Sequence, residues 1–258
     1  IYLSGAVLSA ASGLPDVGLL SMSEFVEQAR VVTAASSLPL LVDADTGFGG
    51  PMNVERTVRE IERAGAAAIQ IEDQELPKRC GHLSGKALVG VEEMERKIRA
   101  AASARGDPEF VIVARTDARG VEGFDAAVGR ARRYLGAGAD VIFPEALESR
   151  EELAGFRRAV EAPLLANMTE FGRSPLLSVA ELNAIGYRIA LFPVTTYRAA
   201  IETAERALEE IRRTGSQLGI LDSMQTRAEL YDLLGYEGYE KRDEVYFSGS
   251  ADGDDEAS

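Results

Sequence analysis

The chain has 258 residues, 28 Lys and Arg against 42 Asp and Glu, a formal net charge of −14 and a pI near 4.7. One Cys and one His cannot make an internal disulfide or a Cys- or His-rich metal centre, so a metal must be held mainly by oxygen. The acidity argues against general affinity for nucleic acid or anionic membrane, and no apolar run approaches the roughly 18 residues of a membrane span.

No signal peptide opens the sequence, so a cytoplasmic protein is expected. Hydrophobic residues make up 46% of the chain, enough for a large core in one big domain or two small ones. Lysine occurs only at 78, 86, 97 and 241, leaving 28 − 4 = 24 arginines. Salt adaptation and a GC-rich codon bias explain that balance equally well.

Residue 1 is Ile, and residues 1–4 read as the end of a buried strand, so a natural N-terminus further upstream is expected. Six more apolar runs follow, at 39–45, 67–73, 110–117, 140–145, 163–167 and 188–193. Each carries Val, Ile or Leu on both faces, as a parallel strand covered on both sides does. Amphipathic stretches lie between them. At 54–64, Val54, Val58, Ile61 and Ala64 form one stripe, with Glu55, Arg56, Arg59, Glu60 and Arg63 elsewhere; residues 94–101, 124–135 and 151–160 read alike. Gly65, Gly136, Gly138 and Gly186 stand where helices should stop.

This alternation predicts a parallel α/β fold with right-handed crossovers. About seven strands are visible, one short of the eight of a TIM (β/α)8 barrel. The barrel is expected, with its first strand–helix unit absent from this chain. The rival is an open doubly wound sheet, but the Gly-rich Thr46-Gly47-Phe48-Gly49-Gly50 follows two acids, a poor seat for phosphate. Residues 197–213 and 225–234 read as helices with no strand after them. The organisation expected is one barrel domain with a helical extension over 1–245, then an acidic flexible tail over 246–258.

In a barrel the site lies at the C-terminal ends of the strands, and each run ends in polar residues: Ser4; Asp43 and Asp45; Glu72 and Asp73; Arg115 and Asp117; Glu145; Asn167 and Thr169; then Arg198. Asp43 and Asp45 alternate onto one side of a strand. Two acids facing one cavity repel unless a cation or proton sits between them. Mg²⁺ suits them, because it prefers oxygen and often takes only one or two protein carboxylates; Glu72 could join. Arg115, Arg198 and Arg227 are suited to substrate carboxylates through bidentate contacts. Cys80 sits among Lys78, Arg79 and His82, surroundings that lower a thiol pKa and make it a usable acid–base group or nucleophile. His82 either tunes Cys80 or caps the loop, and Gly81 and Gly85 suit a moving lid.

Val42-Asp43-Ala44-Asp45-Thr46-Gly47-Phe48-Gly49, Ile71-Glu72-Asp73-Gln74, Lys78-Arg79-Cys80-Gly81-His82, Ala114-Arg115-Thr116-Asp117 and Phe143-Pro144-Glu145-Ala146 together resemble the isocitrate lyase and phosphoenolpyruvate mutase superfamily, from residue 1 to about 245. The later Leu165-Ala166-Asn167-Met168-Thr169-Glu170-Phe171-Gly172 and Met224-Gln225-Thr226-Arg227 are most similar to its methylisocitrate lyase branch. The resemblance implies Asp43 and Asp45 as the Mg²⁺ site with Glu72 nearby, and Cys80 as the catalytic cysteine. It implies substrate contacts from Ser4, Gly5, Ala6, Gly81, Arg115, Glu145, Asn167, Met168, Thr169, Arg198 and Arg227; at Ala6 the family more often has Gly. Tyr2, Glu72 and His82 are candidates for assisting proton transfer. The pocket wall Phe143, Leu191 and Pro193 is similar to that of the branch that houses an extra methyl.

The same resemblance implies a Mg²⁺-dependent retro-aldol cleavage of 2-methylisocitrate to pyruvate and succinate, with Cys80 as proton donor. It also implies a homotetramer whose C-terminal helices are exchanged between subunits, with no nucleic-acid or membrane partner. The alternatives are an isocitrate or dimethylmalate-type lyase, a phosphonate-forming phosphoenolpyruvate mutase relative, and a non-catalytic ligand-binding paralogue.

Overall fold

A computed structural model describes residues 1–79, 81, 82 and 85–248. Cys80 and the acidic tail beyond Ser248 lie outside the described residues. The structure divides into two units, residues 1–198 and 199–258.

In the first unit seven strands occupy the seven apolar runs: β1 (Tyr2–Leu3), β2 (Leu41–Asp43), β3 (Ala68–Glu72), β4 (Val111–Thr116), β5 (Val141–Pro144), β6 (Leu165–Asn167) and β7 (Ile189–Leu191). All recorded ladders are parallel. Strands β1 to β5 pair in sequence order, β6 pairs with β7, and a parallel bridge between Ile142 and Leu164 joins the two groups. A doubly wound sheet reverses its strand order at a switch point; the order here never reverses.

The helices are α1 (Gly5–Ala11), α2 (Met22–Ala35), α3 (Pro51–Arg63), α4 (Val91–Ala104), α5 (Phe124–Gly136), α6 (Arg150–Ala159) and α7 (Val179–Ile185). Helix α3 follows Gly50 with Pro at its first turn, where the missing N–H costs nothing. Its predicted stripe Val54, Val58 and Ile61 is fully buried. Helix α7 ends at the expected Gly186 stop, whereas α1, α2 and the C-terminal α10 (Tyr236–Ser248) are present although periodicity did not mark them. Helix α2 is marked instead by its capping box, Ser21 with Glu24, and buries only Phe25, Val26 and Ala29.

Strand alternation produces two cores. One face sends Leu3, Val42, Ile69, Ile71, Ile112 and Ile142 into the layer of helices. The other gathers Val113, Val141, Phe143, Leu165 and Leu191, with Tyr2, Leu41, Val111 and Ile189 packed against them. An inner cluster drawn from six strands requires a strongly curved sheet.

The second unit holds the continuation of α8 (Thr195–Thr214), a short 3₁₀ turn (Leu218–Ser223), α9 (Arg227–Leu233) and α10. No residue of these helices is buried, and Leu208, Leu233 and Phe247 are among the exposed apolar side chains. No described helix is long and apolar enough to cross a membrane.

Asp73, fully buried just past β3, ties the first unit's layers together. It accepts from Thr116 Oγ1 (2.7 Å), the Asp117 amide (2.9 Å) and Tyr134 OH (2.8 Å), and faces Arg130 at 3.4 Å. Asp73→Ala leaves three buried donors without an acceptor and Arg130 short of one carboxylate. It should lower unfolding stability by about 3–5 kcal/mol in urea melts; a loss below about 1 kcal/mol would contradict this role.

Candidate active site

The alternation that packs the inner core carries on past the strand ends, where apolar side chains give way to polar ones. Leu41 is followed inward by Asp43, Gln70 by Glu72, Val113 by Arg115, Phe143 by Glu145, and Leu165 by Asn167, while Asp45 lies past the end of β2 in a turn where strand alternation no longer holds. One cavity lies over these ends, lined by Tyr2, Ser4, Ala6, Asp43, Gly81, His82, Arg115, Phe143, Glu145, Asn167, Thr169, Leu191, Pro193 and Arg198, together with Asp16, Lys78, Arg79 and Val194.

Arg115 is the hub. Its guanidinium meets Glu72 Oε2 at 3.1 Å, Asp117 Oδ2 at 2.9 Å and Glu145 Oε2 at 3.3 Å, and lies 5.3 Å from the Phe143 ring centroid. It is 8% exposed. Lys86 adds a second cation on Asp117 at 2.7 Å. These neighbours drive two carboxyls apart. Burial pushes Glu72 up against the opposing pull of Arg115 and Lys78. Burial also acts to raise Glu145, but Arg115, His82 and Lys86 outweigh it and bring its carboxyl down to about 2. Such a split gives one carboxyl a tendency to hold a proton and the other a fixed negative charge.

A second cluster surrounds Asp43. Its Oδ2 accepts from the Gly5 amide at 3.2 Å, and its Oδ1 from Gln70 Nε2 and the Asp45 amide, both at 3.1 Å. Tyr2 donates to Gln70 Oε1 at 2.7 Å, so Gln70 bridges phenol and carboxylate. Burial and the Asp43 charge hold the Tyr2 hydroxyl well above its ordinary range. Asp45 stands in left-handed backbone, φ 47°, with Lys78 Nζ 2.7 Å from its Oδ1; Lys78 also contacts Asp16. Burial and Asp43 push the Asp45 carboxyl up to about 6 against the pull of Lys78.

Among the described residues no three His, Cys, Asp or Glu side chains are grouped to hold a metal. Asp43 and Asp45 nevertheless fit a hard cation that keeps several waters. They lie two apart at a strand end, and Glu72 Oε1 nearby is buried without a hydrogen-bond partner among the described residues.

Loop residues close the cavity's side. Gly81 packs so tightly that a Cβ there would fall 2.3 Å from Arg115 Nη2 and 2.5 Å from Glu145 Cγ. His82 accepts the Arg173 amide at Nδ1 (2.9 Å), so its proton sits on Nε2, facing Glu145 Oε1 at 3.0 Å. Asn167 reaches Glu145 at 3.3 Å, and Arg198 bonds the Glu170 carbonyl at 3.0 Å and carboxylate at 2.9 Å.

Of the residues singled out from sequence, Tyr2, Ser4, Ala6, Asp43, Gly81, His82, Arg115, Glu145, Asn167, Thr169 and Arg198 share the cavity lining. Gly5, Asp45 and Glu72 stand directly behind it. The Met168 side chain turns to the helix side, joins the outer core and accepts the Leu177 amide. Arg227 opens α9 in the second unit. Gln70 and Lys86 were not foreseen. Alternation puts Gln70 on the strand face of Glu72, but its role comes from the Tyr2–Asp43 gap that it bridges; Lys86 carried no local signal.

Sequential parallel strands with buried acids and an arginine converging at their C-terminal ends define a parallel α/β enzyme. The family profile described as phosphoenolpyruvate phosphomutase matches residues 1–212. A 2-methylisocitrate lyase of Aeropyrum pernix is 58% identical over 243 residues, covering 94% of this chain and 78% of that protein. Among solved structures, a 2,3-dimethylmalate lyase superposes with a TM-score of 0.89 at 37% identity, covering 98% and 85% of the two chains. A phosphonopyruvate hydrolase in complex with oxalate and Mg²⁺ gives 0.86 at 33% identity, covering 96% and 86%. The chain belongs to the phosphoenolpyruvate phosphomutase family, and within it to the carbon–carbon lyases.

Gly81→Ala must displace either the loop or the Arg115–Glu145 pair. It should cut turnover about 10²-fold, since misplacement near 1 Å costs that much, with little change in melting temperature. Wild-type turnover would show that this contact does not position the pair.

Proposed function

We propose that the protein cleaves 2-methylisocitrate into pyruvate and succinate. The observation that carries this reading is the buried arginine network beside an apolar wall. Arg115, held by Glu72, Asp117 and Glu145, offers cationic charge to a carboxylate, while Phe143, Leu191 and Pro193 in the same lining make room for a methyl. The curated 2-methylisocitrate lyases at 47–58% identity support the choice. Asp43 and Asp45, with Glu72 in reserve, would hold Mg²⁺, which when bound would supply positive charge that lowers the pKa of a substrate hydroxyl.

The substrate's hydroxyl proton passes to Glu72 in the carboxylate form that Arg115 and Lys78 favour against burial, and the neutral Tyr2 phenol assists as a hydrogen-bonding partner. The carbon–carbon bond then breaks, and its electron pair moves onto the succinate fragment as an aci-carboxylate. Arg115, Asn167 and Thr169 stabilise that charge through donors already in place. His82 keeps Glu145 in register with Arg115. Cys80 then gives its thiol proton to the carbon, completing succinate. The wall discriminates against isocitrate only modestly, because one methyl is worth about 1–3 kcal/mol.

The curved parallel strands belong to a (β/α)8-type barrel, and the apolar faces of the helices beyond residue 199 are covered by exchange between subunits of a homotetramer. A cytoplasmic role in propionate catabolism through the methylcitrate cycle belongs to the same reading. Cleavage of a substituted malate is the second reading, favoured by the likeness to a 2,3-dimethylmalate lyase.

Incubated with Mg²⁺ and 2-methylisocitrate, the protein should release pyruvate and succinate in equal amounts. EDTA should stop the reaction and Mg²⁺ should restore it. Cys80→Ser should lower turnover about 10²–10⁴-fold while sparing substrate binding. Faster turnover of 2,3-dimethylmalate or isocitrate would reassign the substrate, and full activity of Cys80→Ser would remove the thiol from the reaction.

A further inference from the structure

We propose that Lys97 is a positioning residue for the cation site, acting through the backbone carbonyl of Thr46. This rests on the reading of Asp43 and Asp45 as cation ligands and extends it to a helix that does not line the cavity. Lys97 lies on the inner face of α4 beside Ile98 and is only 4% exposed. Its ammonium donates to Thr46 O at 3.1 Å. The other three lysines, Lys78, Lys86 and Lys241, each pair with a carboxylate. Among the described residues Lys97 makes no such pair, and Glu93 one turn earlier contributes only a favourable field.

Burying an ammonium without a counter-ion is costly, and a Thr carbonyl at a surface turn would not require it. This turn is different. Asp45, Gly47, Phe48 and Gly49 have φ of 47°, 87°, 58° and 142°, a left-handed run that two non-glycine residues adopt only under constraint. The Gly47 amide bonds Ala44 O at 2.8 Å, and the Glu72 amide bonds Asp45 O at 2.8 Å. The Thr57 hydroxyl touches Gly47 O at 3.4 Å. Lys97 supplies the charged restraint on the carbonyl end of the Thr46–Gly47 peptide, one peptide beyond the Asp45 carbonyl. Without it that peptide is held only at its amide end, by Ala44 O, and the turn that carries Asp45 is less firmly fixed beside Asp43. A partner one step removed from a metal ligand acts in this way on affinity more than on folding.

The test is the Mg²⁺ dependence of the melting temperature, and the calorimetric Mg²⁺ titration, of the substrate-free full chain. Lys97→Met keeps length and packing but removes the donor. It should raise the half-saturating Mg²⁺ concentration about 10–100-fold while the melting temperature without Mg²⁺ stays level or rises. Lys97→Arg, which keeps a cationic donor, should stay nearer to wild type than Lys97→Met. Wild-type Mg²⁺ affinity in Lys97→Met would overturn the proposal. Should Lys97→Met not fold, Lys97→Gln takes its place with the same expectation, and failure of both to fold would assign Lys97 to the fold and overturn the positioning role. Asp45→Ala separates the two claims. Mg²⁺ binding unchanged in Asp45→Ala would overturn the cation-site reading itself, and with it the role of Lys97.

Discussion

Arg115 is held in the protein interior by three carboxylates, and the arrangement of the site follows from that constraint. A buried guanidinium needs counter-charge, and buried carboxylates need cations. Glu72 from β3, Asp117 after β4 and Glu145 after β5 meet that need only when their strands are in register. Register in turn sets Asp43, the last residue of β2, opposite Gln70, and the Glu72 amide holds the carbonyl of Asp45 just beyond that strand. Gly81 touches this pair of side chains closely, so the loop's position is set by the same network. Removing one member leaves charges uncompensated, which is why single substitutions here should act on geometry and chemistry together.

Much of this was legible in the sequence because a strand's side-chain period is two. The seven apolar runs all became strands, and their terminal acids and Arg115 converged where a parallel α/β fold places chemistry. The helices that escaped notice lacked a strong apolar stripe. Helix α10 buries nothing, and α1 spans 7 residues, too short for periodicity to speak. Gln70 and Lys97 were hidden for another reason. Their roles come from what they face across the fold, the Tyr2–Asp43 gap and the Thr46 carbonyl. Nothing local marks a lysine that bonds a peptide 51 residues away.

The same scaffold serves a phosphonopyruvate hydrolase and a 2,3-dimethylmalate lyase, so fold alone does not select the bond that breaks. Residues specific to the rim carry that choice. Here the rim pairs cationic donors with the apolar Phe143, Leu191 and Pro193, and the loop bearing Gly81 and His82 lies against Glu145. The Arg173 amide fixes the His82 tautomer and joins that loop to the segment after β6.

The central claim is that a carbon–carbon bond breaks and the resulting carbanion takes one proton from the enzyme. Cleavage of 2-methylisocitrate in D₂O, followed by mass analysis of the products, tests it directly. The account predicts succinate carrying a single deuterium on carbon, because the donor's proton exchanges with solvent before transfer. Succinate without deuterium, or no succinate at all, would contradict it.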